Sequence, residues 1–173
     1  MFHEAAALGG LQVQLAYYRG MGEFVAGSWH PKADGVVAAM TAVRCLGGQT
    51  QILKVIKHAI AETQRQRIAA VVFVGDAMEE AIDDLCAAAG QLGLLGVPMF
   101  LFHEGHDPLA EGAFQQLARL SGGACCHFDA SSAHQLRDLL RAVAAYAAGG
   151  RRALENQARR GGAAVQNLLT QLK

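Results

Sequence analysis

The most constraining feature of this chain is a buried-looking run in its middle. Residues 68–74, Ile-Ala-Ala-Val-Val-Phe-Val, are almost continuously apolar, and Gly75-Asp76 follow at once. A run this short and rich in β-branched residues predicts a central strand covered on both faces, as in a parallel sheet. Val97 to Phe102 forms a second such run, and Ala124 to Phe128 a shorter third. The segments between them have helical spacing, with Glu79 to Leu94 and Leu109 to Leu120 ending at glycines. Strand–helix–strand units with short loops predict a doubly wound, mostly parallel α/β sheet, a three-layer Rossmann-like arrangement with helices on both faces.

The first third reads differently. Leu11 to Tyr18 alternates apolar and polar, Arg19-Gly20-Met21-Gly22 makes a turn, and Glu23 to Trp29 returns as an antiparallel edge strand. Val36 to Cys45 has a helical pattern. Ile52, Val55, Ile56, Ala59 and Ile60 mark another helix, for which Thr50 is a natural N-cap. Ser131 or Ser132 caps a last amphipathic helix reaching Tyr146.

Charge divides the chain. Lys plus Arg and Asp plus Glu number 15 each, but residues 1–148 carry a net −4 and residues 149–173 a net +4. Gly149-Gly150 marks the boundary between a body, 1–148, and a basic tail, 149–173, helical or partly disordered and expected to add little to the core. A neutral total argues against a general nucleic-acid binder. No apolar run reaches about 18 residues, so no membrane span is expected, and Met1-Phe2-His3-Glu4 lacks the pattern of a secretory signal. The chain is read as cytoplasmic, with Cys45, Cys86, Cys125 and Cys126 as reduced core thiols. Hydrophobic residues at 52% and charged ones at 17% are enough for a packed domain.

In parallel sheets ligands gather at the carboxyl ends of the strands. Asp76, Glu104 and Asp129 fall there. Asp76 can bind a cation or cap the next helix, and Thr50 in Gly47-Gly48-Gln49-Thr50 can face a metal or phosphate or act as a plain cap. Asp76, Glu79, Glu80, Asp83 and Asp84 are better explained as the solvated start of a helix than as a metal cluster. His103, His106, Cys125 and His127 could meet at one edge, but their spacing is no established zinc pattern. There is no phosphate-binding glycine loop and no nucleophile elbow.

Taken in order, LQVQLAYYRGMGEFVAGSW, GGQTQILKVIKHAI, IAAVVFVGDAMEE and VPMFLFHEG resemble the von Willebrand factor A (VWA) domain in a divergent bacterial, intracellular form, over roughly residues 1–147. The resemblance implies a doubly wound sheet with a metal-ion-dependent adhesion site at its carboxyl edge. Three loops build that site in the family: an Asp-x-Ser-x-Ser after the first strand, a Thr, and an Asp after the next central strand. Thr50 matches the second element and Asp76 the third. The first element has no counterpart: Phe2 to Leu8 would lie in the family's first helix, and the first strand would precede it. The resemblance therefore implies an incomplete domain, with a degenerate adhesion site, Thr50 and Asp76 holding at most a weak Mg²⁺, and no other cofactor. It also implies bare edges on strands 11–18 and 68–74, which promote self-association. The function it implies is a non-enzymatic protein–protein interaction module with an unidentified protein partner, and neither nucleic acid nor membrane. The alternative is a small metal-dependent hydrolase at the same edge, built from Asp76, Glu104, His103 and His106.

Overall fold

A computed structural model describes residues 11–128, 133–159 and 162–172. The expected helix at Phe2 to Leu8, the cap at Ser131 or Ser132 and the rim residue Asp129 lie outside these residues.

The chain opens with a hairpin, β1 (Val13–Arg19) and β2 (Glu23–His30), paired antiparallel with Val13 opposite His30 and Arg19 opposite Glu23. Gly20 and Gly22 make the turn at φ of +59° and +143°, backbone that side-chain-bearing residues rarely adopt. Two helices follow, α1 (Ala33–Thr41) and α2 (Ile52–Arg65). Then come β3 (Val71–Gly75), α3 (Ile82–Leu94), β4 (Met99–Glu104), α4 (Pro108–Ser121) and β5 (Ala124–Phe128). Strands β3, β4 and β5 form a parallel sheet in that order, with Val71 beside Met99 and Phe100 beside Ala124. The chain ends in α5 (Ala133–Ala158), kinked at Gly149 and Gly150, and α6 (Ala163–Gln171).

The period-two alternation of β4 splits the interior into two cores. Met99 and Leu101 face α2, α3 and α4, together with Val71 and Phe73 of β3. Phe100 and Phe102 face α5 and α6, together with Ala124, Cys126 and Phe128 of β5. All residues of β4 but Glu104 are buried, as its unbroken apolar sequence predicts.

One sequence expectation needs correction. The segment after Gly150 belongs to the core: Leu154 and Leu168 are fully buried, Val165 is 1% exposed, and Ala158 and Leu172 are buried beside them. The glycines bend the chain so that short apolar stretches on either side fold back onto one sheet face. Among the described residues β1 pairs only with β2, so the hairpin and the parallel sheet are separate sheets. Side chains meet between them where Tyr18 stacks on Phe73, ring centroids 6.5 Å apart.

Candidate functional site

The carboxyl rim of the sheet is held together by two glutamates. Between β3 and α3 the chain runs through residues 76–81 without regular structure, and α3 starts at Ile82 with Ala81 as its N-cap. Glu79 and Glu80 therefore do not sit on a helix, as their spacing suggested, and Asp76 does not cap one. Glu80 reaches across to the start of α2, where its Oε2 accepts from the Ile52 N–H (2.5 Å) and its Oε1 from the Leu53 N–H (3.0 Å). The first amides of any helix lack partners within it and carry the positive end of its dipole, so a carboxylate is well suited to cap them. No side chain of the α2 segment does this: its N-cap is Gln51, which makes no capping bond.

Thr50 is thus not the cap either. Its N–H donates to Glu79 Oε2 (3.0 Å), and its Oγ1 accepts from the Glu79 N–H (3.0 Å). This reciprocal pair fastens the Gly-Gly-Gln-Thr loop to the loop that follows β3. The same loop is tied to the hairpin turn, since the Gln49 N–H donates to Gly20 O (3.2 Å). Gly48 is required there, because a Cβ would lie 2.0 Å from Gly20 O. Asp76 is exposed and accepts no hydrogen bond among the described residues. Burial pushes the Tyr18 phenol up to about 12, and the charges of Glu80, Asp76 and Glu79 add to the shift. Tyr18, Asp76, Glu79 and Glu80 therefore share one negative rim, with Thr50 bonded into it.

The histidines form a neighbouring group. His103 and His127 are register partners on β4 and β5, with rings 5.7 Å apart and nearly perpendicular. His106 stacks on His127 at 5.1 Å, and His127 Nε2 lies 2.5 Å from Gly105 O, holding the loop after β4. His103 is fully buried against Phe114, and neither ring nitrogen has a partner among the described residues. Burial, then the charge of Glu111, push the Cys125 thiol up to about 11. Among the described residues, no group of three or more His, Cys, Asp or Glu is placed to hold a metal ion. A cavity of about 240 Å³ opens beside the starts of α5 and α6, lined by His134, Gln135, Asp138 and residues 162–165. None of Asp76, His103, Glu104 or His106 lines it.

No family model matches this sequence, and no curated protein does. Among solved structures, the crystal structure of the SpRpn10 VWA domain matches with a TM-score of 0.55, at 17% identity, over 75% of this chain and 70% of that one. This chain has a VWA-like fold. The glutamates at 79 and 80 are what sequence reasoning missed in this VWA-like domain. Their partners lie 27 to 29 residues away, and helical periodicity assigned them to α3 instead. No helix among the described residues is long and apolar enough to cross a membrane.

Proposed function

We propose that this chain is a non-enzymatic protein–protein interaction module of the VWA type. It recognises a protein partner at the carboxyl rim around Thr50 and Asp76. The observation that supports this reading most is the likeness to a solved VWA domain over three quarters of the chain. The rim is also suited to recognition: hydrogen bonds fix its loops, and the exposed carboxylate of Asp76 accepts no hydrogen bond among the described residues.

Mg²⁺ has a minor place in this reading. A hard cation takes about six oxygens, and Asp76 and Thr50 offer two side chains, so a bound ion would remain mostly hydrated. An affinity of about 10⁻³ M or weaker is expected, read from chemical-shift changes on titration with magnesium chloride.

Capture of partners from native extract by the purified chain, identification by mass spectrometry, and calorimetry on the re-purified partner test the proposal. Asp76→Arg should weaken that partner at least tenfold, whereas Arg152→Glu on the far helix should not. A partner equally indifferent to both changes would contradict a rim-centred module.

A further inference from the structure

We propose that Gly149 and Gly150 are a hinge with two settings. Bent, it lays the segment after Gly150 on the chain's own sheet. Straight, it hands that segment to a second copy of this chain, which returns its own, so that two chains form an exchanged dimer. The glycines hold the bent setting, and the rim takes no part in the exchange.

The bend is confined to two residues. Helix α5 is helical on both sides of Gly149 (φ −146°, ψ 20°) and Gly150 (φ +65°, ψ −161°), and the backbone of Gly150 is open almost only to glycine. Residues 148–152 are all exposed, so the bend itself lies outside the core. Beyond it the segment holds together as a unit: Arg151, next after the hinge, donates from Nη1 to Leu172 O (2.5 Å) and from Nε to Glu155 Oε1 (3.2 Å). Buried side chains, Leu154 and Leu168 foremost, fasten this unit to the sheet, together with two hydrogen bonds between the Gln171 amide and the Cys125 backbone.

Straightening the two glycines would make α5 one rod of 26 residues, about 39 Å long, and carry Ala158 about 15 Å beyond Ala148 along the same axis. Leu154 and Ala158 would leave the cluster they share with Phe100, Phe102 and Leu139. Both the segment and the sheet face it left then need cover. A second copy in the same setting offers an identical bared face and an identical segment, so each hydrogen bond and each buried side chain can re-form across the pair, and mutual exchange closes at two chains. The bent and exchanged states therefore share their contacts and differ at the hinge and in the entropy of association. At the hinge the sequence decides. A glycine inside a helix is disfavoured about fivefold relative to alanine, whereas alanine resists the Gly150 backbone. Two glycines in each of two chains weigh against the dimer by roughly 600-fold.

The test compares the full chain with Gly150→Ala and with the double variant Gly149→Ala/Gly150→Ala. A Cβ at 150 has open space around it, so Gly150→Ala acts through the backbone alone; at 149 a Cβ would lie 2.8 Å from Ala153 Cβ in the bent chain and adds to the push. Each protein is refolded from urea at low and at high concentration and sized by gel filtration with light scattering. The association constant of the dimer should rise at least about tenfold in Gly150→Ala and at least about a hundredfold in the double variant, with helix content by circular dichroism retained. Dimers refolded from a mixture of ¹³C-labelled and unlabelled chains should show cross-chain NMR contacts between the methyls of Leu154 and Leu168 and the aromatic rings of the sheet. A monomer in both variants, or a dimer in which those contacts stay within one chain, would overturn the proposal. Failure of both variants to fold would overturn it too, because the segment would then have one setting only.

Discussion

The two edges of the parallel sheet are finished differently. At the β5 edge, Gln171 of α6 behaves as a strand of one residue: its Oε1 accepts from the Cys125 N–H (2.9 Å) and its Nε2 donates to Cys125 O (2.9 Å). Leu168 and Leu172, on either side of it in the chain, are buried against the same sheet face. At the β3 edge the amides of Val72 and Val74 point away from β4, and both residues stay partly in water. Exposed strand edges invite pairing, and proteins usually blunt them with charge, bulges or a covering element. Here α6 covers the β5 edge, and among the described residues no strand pairs with the outer edge of β3.

Removing the cover should have the largest effect. Deletion of residues 151–173 takes away Leu154, Ala158, Val165, Leu168 and Leu172, all buried. At roughly 1.5–3 kcal/mol for each large apolar side chain, the loss approaches a typical total stability of about 5–15 kcal/mol. The truncated chain should show no cooperative thermal transition by circular dichroism; a melting temperature within a few degrees of the full chain would show that α6 is dispensable. Next comes Glu80→Ala, which strips α2 of its only side-chain cap among the described residues. Urea melts should record a loss of about 1.5–3 kcal/mol, as expected for hydrogen bonds to a charged group. Gln171→Ala should cost less, about 1–2 kcal/mol in the same assay, because its two bonds are neutral. The smallest change belongs to the bare edge: Val74→Thr should stay within about 0.5 kcal/mol of the parent, as for other exposed positions. A cost above about 2 kcal/mol there would mean that β3 is covered after all.

The parallel sheet was legible because its strands are short apolar runs bounded by glycine, and the hairpin because Gly20 and Gly22 punctuate an alternating pattern. The rim was legible only as a place. Thr50 and Asp76 could be put at strand and helix ends, but the bonds that organise the rim run from Glu79 and Glu80 to backbone amides far away in sequence, and no periodicity encodes such pairs. The C-terminal segment was misjudged for a related reason. Glycines break its helical pattern in the sequence, so its few leucines look isolated although the kink at Gly149 and Gly150 lets them share one face. Gln171, polar and near the end of the chain, gave no sign that it completes a sheet.

Native-state amide exchange at the two edges tests the central claim most directly. In the free chain at low concentration, the Cys125 amide should exchange as slowly as those inside the sheet, and Gln171→Ala should make it fast. The Val72 and Val74 amides should exchange fast in both proteins. Slow exchange at Val72 and Val74, matching Cys125 in the unmodified chain, would contradict the account, because both edges would then be covered.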